Sequence, residues 1–230
     1  MKFDVLTLFP EMFVSPFSES MIKRAKEKGI VSIETHDMRK WAWNSYGAVD
    51  DHPFGGGVGM LIRVDVIANA LKDLKEGIAA LTKAPRNDES RVILMSARGK
   101  RYTQADAKRL SSYKNLIIVC GHYEGFDERV GKLVDEEISI GDFVLTGGEI
   151  PAMVVIDSVS RLLPGVLGKD ESSMTESFST EGYIEYPQYT RPRDFNGESV
   201  PEVLLSGDPK KIEKWQEEIA ASLAKVGSSQ

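Results

Sequence analysis

The feature that most constrains this chain is an alternation of strand and helix patterns that runs through residues 1–165. Residues 91–95 and 116–120 are apolar and β-branched, as is typical of strands buried on both faces of a sheet. One helix face is indicated by apolar residues at three- and four-residue spacing, Val64, Ile67, Leu71 and Leu74. This alternation predicts an α/β fold with a largely parallel sheet.

Other segments of the same region fit the pattern. Short strands are expected at residues 3–8 and 30–35, with a helix-compatible stretch at 18–28 between them. Residues 103–111 fit a helix that begins near Tyr102 or Thr103. Residues 150–163 form a long apolar segment that predicts a helix ended by Pro164-Gly165.

The character of the sequence changes after Pro164. Residues 165–180 are rich in Gly, Ser, Glu and Asp and predict a flexible linker. Asp208-Pro209 then supplies an N-cap and a first helical residue for a last amphipathic helix. We therefore expect an α/β domain at residues 1–164, a linker at 165–180 and a small, mostly helical domain at 181–230.

Composition narrows the class of protein. The net charge of −6 and the isoelectric point near 5.3 argue mildly against a nucleic-acid partner, although basic residues cluster locally, for example Lys23 to Lys28. The longest apolar runs are too short to span a bilayer, and no signal peptide is expected. A single cysteine, Cys120, cannot form an internal disulfide. These features predict a cytoplasmic protein that does not enter a membrane.

A first glycine-rich segment covers residues 50–60, with four glycines in five residues at 55–59. Such a segment lets a backbone or a ligand approach closely. It lacks the Gly-Lys-Ser/Thr of a phosphate-binding Walker loop, and it does not match the Gly-x-Gly-x-x-Gly dinucleotide fingerprint. A mobile loop and a binding loop are equally compatible with it.

A second segment, residues 120–129, follows directly after a predicted buried strand. Ligands of open α/β sheets bind at the carboxyl ends of strands, and glycine there lets a ligand reach backbone amides. A tight strand–helix turn with solvated charges explains it equally well. His122 lies beside Cys120, but three histidines and one cysteine in the whole chain make a zinc site improbable, so no metal is predicted.

A third segment, residues 139–151, places a short apolar stretch between Gly141 and Gly147-Gly148. Consecutive backbone N–H and C=O groups along such a stretch can form a wall that recognises an adenine edge. A β-turn leading into a helix would also produce this pattern.

Taken together, these segments resemble the bacterial tRNA (guanine-N1)-methyltransferase family of the SPOUT class, over nearly the whole chain. Further short motifs occur in the order that the family has them. They are Leu-Thr-Leu-Phe-Pro-Glu-Met-Phe at 6–13, Ile-Asp-Ser-Val-Ser-Arg at 156–161, Leu-Pro-Gly-Val-Leu-Gly at 163–168, Tyr-Thr-Arg-Pro at 189–192 and Val-Leu-Leu-Ser-Gly at 203–207.

The resemblance implies a parallel α/β domain whose C-terminal part is threaded into a deep trefoil knot, a topology that general rules of chain connection disfavour. It implies a homodimer with each active site built across the interface, a tRNA substrate, and S-adenosyl-L-methionine as the methyl donor. The implied cofactor-binding residues are Ser96, Gly99, Gly121, Tyr123, Glu124, Gly125, Ile140, Gly141, Asp142, Phe143, Val144, Leu145, Gly147, Gly148 and Pro151.

The resemblance also implies two catalytic residues, Arg161 and Glu176. Guanine N1 carries a proton and is a poor nucleophile until that proton leaves, so the family needs a base, a cation for the charge on O6, and alignment. Relatives often have aspartate where this chain has Glu176, which is longer by one methylene. Glu171 and Glu181 are alternative bases nearby.

Two other functions are compatible with the same motifs. One is a SPOUT methyltransferase that acts on another RNA or another atom, because the cofactor wall does not select the acceptor. The other is an RNA-binding protein without catalytic activity, which would need neither Arg161 nor Glu176.

Overall fold

The computed structural model of the protein describes residues 1–82, 89–167, 176–180 and 182–227. Seven strands belong to its first part: β1 (Lys2–Thr7), β2 (Ser32–Asp37), β3 (Asp50–Asp51), β4 (Leu61–Ile62), β5 (Ser90–Arg101), β6 (Asn115–Val119) and β7 (Glu136–Ser139). Five of them form one sheet in the order β2-β1-β6-β5-β7, and every neighbouring pair is parallel. The other two, β3 and β4, form an antiparallel hairpin.

Helices connect these strands. They are α1 (Ser20–Glu27), α2 (Val64–Thr82), α3 (Gln104–Leu110) and α4 (Glu149–Ser160), with short 3-10 helices at Pro10–Phe13, Pro16–Ser18, Met38–Trp41 and Glu128–Lys132. The parallel α/β fold expected from the alternating pattern is therefore confirmed. None of the described helices is both long enough and apolar enough to cross a membrane.

The sheet is covered on both faces, which explains why residues 116–119 of its central strand β6 are all apolar. On one face Phe3, Ile118 and Ile93 pack in a buried cluster with residues of α1, α3 and α4. On the other face Leu6 and Ile117 pack with α2 and with the short helix at Glu128–Lys132. A strand with helices on both sides has no polar face to offer water.

Two helices show how local sequence sets their ends. Thr103 begins α3 through a capping box, because its hydroxyl accepts the Asp106 N–H and the Asp106 carboxylate accepts the Thr103 N–H. Helix α4 ends at Ser160, three residues before the predicted end at 163. The chain tightens there, since the N–H groups of Leu162 and Leu163 bond to carbonyls only three residues earlier.

Strand β5 is longer than the predicted 91–95 and contains an irregularity. Ile138 of β7 pairs both with Met95 and with Lys100, so residues 96–99 leave the ladder between them. Gly99 closes this excursion against β7, where an added Cβ would lie 2.5 Å from Ile138 N. The sheet therefore carries a short protrusion at the end where β7 and β6 also terminate.

The chain divides into two compact units, Met1–Gly168 and Lys169–Gln230. The second contains a hairpin of β8 (Asp194–Phe195) and β9 (Glu198–Ser199), a short α5 (Glu202–Leu205) and α6 (Pro209–Gly227). Asp208 caps α6 as the sequence predicts, since its carboxylate accepts the N–H of Lys210 at 3.1 Å. The predicted linker at 165–180 includes residues 168–175, which lie outside the described residues, and its limits remain a prediction.

Candidate active site

A cleft of about 490 Å³ lies at the carboxyl ends of the sheet strands β5, β6 and β7. Parallel α/β sheets bind ligands at this edge, and the volume falls within the range of about 300–1,000 Å³ usual for small-molecule sites. The three walls are the protrusion of β5, the segment after β6 and the segment after β7. The fold therefore brings together chain segments that are far apart in sequence.

Most of the expected cofactor residues line this cleft. They are Ser96, Gly121, Tyr123, Glu124, Gly125, Ile140, Gly141, Phe143, Val144, Leu145, Gly147, Gly148 and Pro151. Gly99 and Asp142 are not among the lining residues. Gly99 instead makes the close approach to β7 described above, and Asp142 is exposed.

The second and third glycine segments are in direct backbone contact. Gly148 donates its N–H to the Gly121 carbonyl at 2.8 Å. A Cβ on Gly148 would lie 2.7 Å from Gly121 N and 2.8 Å from Cys120 Cα. Glycine is therefore required at 148 by packing of backbone on backbone.

The first glycine-rich segment is attached to the rim of the same cleft. The N–H of Glu124 donates to the Met60 carbonyl at 3.1 Å, and the N–H of Ile62 donates to the Gly125 carbonyl at 2.9 Å. Gly59 sits so close to the Glu124 side chain that a Cβ there would overlap it. The sequence left open whether this segment is a mobile loop or a binding loop. The contacts of its last residues favour a role in shaping the cleft.

A buried carboxylate lies next to the residues that line the cleft. Glu149, the first residue of α4, is 2% exposed, and its Oε1 accepts a 2.7 Å hydrogen bond from the Thr7 hydroxyl at the end of β1. Burial, followed by the nearby charge of Glu149, raises the pKa of the Cys120 thiol well above its usual value. Cys120 is therefore a neutral, packed thiol.

Most of the charged side chains that line the cleft are acidic. Glu124, Asp127, Glu128 and Glu137 line it, and Arg98 is the cation in the described lining. Arg98 is paired with Glu128 at 2.8 Å. Hydrogen bonds from Arg129 lower the pKa of Asp127 to about 2, so this acid is ionised at neutral pH. Such a wall favours a ligand that carries positive charge.

His122 also lines the cleft, although its sequence context suggested only a possible metal ligand. Its ring makes edge contacts with Phe9 and Tyr123, at centroid distances of 4.8 Å and 5.1 Å. Its Nδ1 is buried and has no hydrogen-bond partner. Its position directly after a glycine at the end of a predicted strand was the available indication of a site residue.

The two expected catalytic residues belong to different units of the chain. Arg161 follows α4 and is half-buried, and its N–H bonds to the Asp157 carbonyl at 3.1 Å. Glu176 is half-buried in the second unit, where its carbonyl accepts the Ser179 N–H at 2.9 Å. The alternative bases Glu171 and Glu181 lie outside the described residues.

One group of possible metal ligands occurs among the described residues, formed by Asp4, Glu34 and His36. Lys2 already supplies a cation to this group, because its ammonium lies 3.0 Å from Asp4 and 2.9 Å from Glu34. His36 also bonds to Asp4 at 2.7 Å. The arrangement is a charge network between β1 and β2 and stabilises the pairing of these strands.

Comparison with known proteins identifies the family of this chain. The family described as tRNA (Guanine-1)-methyltransferase TrmD matches residues 1–226. A protein of Shouchella clausii named tRNA (guanine-N(1)-)-methyltransferase is 53% identical over 95% of this chain and 86% of its own length. A protein of the same name from Citrifermentans bemidjiense is 51% identical over 94% of this chain and 83% of its own length. A third, from Staphylococcus epidermidis, is 49% identical over 95% and 85%. The chain belongs to the TrmD family of tRNA (guanine-1)-methyltransferases.

Proposed function

We propose that this protein methylates N1 of the guanosine immediately 3′ of the anticodon of tRNA, position 37, with S-adenosyl-L-methionine as the methyl donor. The observation that carries the proposal is the cleft at the strand ends, built from glycine segments in a chain of this family. The relatives are named for the same acceptor atom, N1 of guanine. A tRNA substrate also implies that the enzyme acts in the cytoplasm.

The residues of the cleft fit S-adenosylmethionine. This molecule has a sulfonium, an ammonium, a ribose and a flat adenine ring. The acidic side chains suit the two cationic groups, and the apolar Leu94, Ile138 and Pro151 suit the ring. Gly121 and Gly147 let main-chain groups approach a ligand without an intervening side chain.

When bound, the donor supplies an electrophilic methyl group that needs alignment and no further activation. The chain must then remove the proton from guanine N1 and stabilise negative charge on O6. We assign the first role to Glu176 and the second to Arg161. A positioned base contributes about 10²–10⁴-fold to such a reaction, and one electrostatic donor about 10²–10³-fold.

The position of Arg161 supports an active site shared between two protomers. Helix α4 carries Pro151 at the cleft wall, and Arg161 follows its last residue. Ten residues of helix (151 to 161) span about 15 Å, which exceeds the reach of an arginine side chain. We therefore assign the Arg161 that serves a given cleft to a second copy of the chain.

Exposed apolar side chains support the same dimer. Phe9 and Met12 are 37% and 42% exposed, and Ile150 and Val154 of α4 are 49% and 43% exposed. The helix at Pro10–Phe13 packs against α4, so these residues belong to neighbouring elements. Apolar patches of this kind mark protein interfaces.

We extend the proposal to the finer fold. We assign a trefoil knot to the C-terminal part of the first unit on the basis of its family. The contact of Gly148 with Cys120 and Gly121 brings the segments after β6 and β7 together there. The second unit, with exposed Tyr189 and Phe195 and several basic residues, is assigned to tRNA binding, and the segment around Glu176 to its connection with the first unit.

Transfer of labelled methyl groups to transcribed tRNA tests the activity. We expect incorporation into tRNA with guanosine at position 37 and none into a matched transcript with adenosine there. N1 methylation blocks base pairing, so reverse transcription should stop at that nucleotide. A stop at another nucleotide would mean a different RNA methyltransferase, and donor and tRNA binding without transfer would mean a non-catalytic RNA-binding protein.

A further inference from the structure

His122 has an unpaired polar atom in the interior of the cleft wall. Among the described residues, two buried side-chain nitrogen or oxygen atoms lack a partner, His122 Nδ1 and Ser160 Oγ, and only His122 lines the cleft. Unpaired buried polar atoms are unfavourable for folding, so each one that persists in a folded protein needs an explanation. A hydrogen-bond partner for His122 Nδ1 must therefore come from a bound ligand or from a change in a neighbouring side chain.

The surroundings of His122 limit how its ring can turn. The rings of Phe9 and Tyr123 contact it edge-on, at 4.8 Å and 5.1 Å. The residue before it, Gly121, is in turn held by the backbone hydrogen bond from Gly148. These contacts hold the plane of the His122 ring, and Nδ1 is its buried nitrogen.

Glu149 faces the same interior space. A Cβ on Gly147 would lie 3.1 Å from His122 Nδ1 and would overlap Glu149 Oε2, so both atoms border the space left by the missing side chain. The other carboxylate oxygen, Oε1, accepts the Thr7 hydroxyl at 2.7 Å. Thr7 in turn accepts the Phe9 N–H at 2.9 Å, which fixes its hydroxyl.

We propose that His122 contacts the methyl donor through Nε2 and that Glu149 is its positioning residue. With the donor bound, Glu149 Oε2 accepts the Nδ1 proton of His122, which sets the tautomer of the ring. Nε2 then carries no proton and accepts a hydrogen bond from an ammonium or hydroxyl group of the donor. This inference rests on the proposed function and adds a residue to its binding site.

The tautomer of His122 can be measured directly by ¹⁵N NMR, because the chain has only three histidines. His122→Asn identifies the relevant signals. With S-adenosylhomocysteine bound, we expect the proton of wild-type His122 on Nδ1. In Glu149→Gln the amide NH₂ would donate to Nδ1, and the proton should move to Nε2. A wild-type complex with the proton on Nε2 would overturn the proposal without any variant.

Calorimetry supplies an independent readout. Glu149→Gln and His122→Leu should each weaken S-adenosylmethionine binding about tenfold, the loss of one hydrogen bond. Methylthioadenosine lacks the ammonium group and keeps the ribose. If the variants bind it as tightly as wild type does, the ammonium is the group that donates to Nε2. If they lose affinity for it to the same extent as for S-adenosylmethionine, a ribose hydroxyl is the donor. Glu34→Gln, an acid on β2 away from the cleft, is the control and should bind as wild type.

Two failures are distinguishable. If wild-type protein does not bind S-adenosylmethionine, the proposed function fails. If wild type binds it and both His122→Leu and Glu149→Gln bind it equally well, the role of His122 and Glu149 is wrong while the proposed function stands.

Discussion

Gly148 and Gly121 join the two segments that form the cleft, through a 2.8 Å hydrogen bond from the Gly148 N–H to the Gly121 carbonyl. The atoms nearest to an added Cβ on Gly148 all belong to the backbone of Cys120 and Gly121. No side chain can move aside to make room. The separation of the two segments, and with it the width of the cleft, is therefore set by the absence of a side chain at 148.

We predict that Gly148→Ala both destabilises the protein and weakens donor binding. Overpacking of this kind costs about 1–3 kcal/mol. Gly77→Ala is the control, since Gly77 lies within α2 with open space around it, and this change should stabilise the protein by roughly 0.5–1 kcal/mol. Urea unfolding and calorimetry measure the two effects. A Gly148→Ala protein with wild-type stability and affinity would contradict the packing argument.

A second prediction concerns the shared active site. Gly141→Val should disable the cleft, because a Cβ at 141 would lie 2.5 Å from the Phe143 ring. Arg161→Ala should disable the catalytic cation. Each homodimer should be inactive, but a heterodimer of the two variants should regain activity, since one of its sites combines an intact cleft with an intact Arg161.

Differently tagged chains allow the heterodimer to be co-expressed and purified. About half of the wild-type activity per dimer is expected, because one site of two is intact. Heterodimers as inactive as the parent variants would show that the cleft and Arg161 of one site come from the same chain. Sedimentation of the wild type as a monomer would also refute the shared site.

The third prediction is that Glu176→Gln slows methyl transfer by roughly 10²-fold or more, because the amide cannot accept the N1 proton. Donor affinity should be unchanged, since Glu176 is not among the residues lining the cleft. Glu176→Asp should retain much of the activity. Single-turnover transfer across a range of pH isolates the chemical step from product release.

Glu171→Gln and Glu181→Gln are the matched controls for this assignment, because both acids lie near Glu176 in sequence. Both should react at the wild-type rate. A slow Glu171→Gln or Glu181→Gln together with a fast Glu176→Gln would identify a different base.

Much of the fold could be predicted because local sequence patterns determine its strands and helices. The apolar run at β6 and the Thr103–Asp106 pair that begins α3 need no distant partner to be recognised. The sheet order could not be predicted, since the pairing of β1 with both β2 and β6 depends on the packing of the whole sheet.

The sequence indicated which segments would line the cleft, but not the contacts that join these segments. Glycines and apolar residues after β6 and β7 were expected to form a wall, and most of them line the cleft. The excursion at residues 96–99 depends on Ile138 pairing twice, and the attachment of Glu124 to Met60 depends on a hairpin far away in sequence. The partnership of Glu149 with Thr7 is equally nonlocal.

A fourth prediction concerns stability in acid. Hydrogen bonds from Arg129 lower the pKa of Asp127 from 3.8 to about 2 in the folded protein. Because the folded-state pKa is lowered, the ionised carboxylate stabilises the protein above the unfolded-state pKa, and this contribution is lost as pH falls from about 4 to about 2. Asp127→Asn should be less stable than wild type at neutral pH, and the difference should shrink across that window.

Urea unfolding at several pH values measures this difference. Asp194→Asn is the comparison variant. Hydrogen bonds from Ser199 and from the backbone of Gly197 also lower the pKa of Asp194, but this residue belongs to the second unit. A pH-independent gap between wild type and Asp127→Asn would show that the Arg129 pairing does not contribute to acid stability.

The place of β1 inside the sheet has a consequence for how the protein is made. Lys2 to Leu6 pair on one side with β2 and on the other with β6, which begins at Asn115. On the ribosome, β1 emerges long before β6 and keeps one hydrogen-bonding edge bare until β6 has been synthesised. Nascent chains with an unpaired apolar strand are prone to aggregate and engage chaperones. The central sheet can therefore close only after β6 and β7 have been synthesised, and a slow or stalled ribosome before that point would prolong the exposure of this edge.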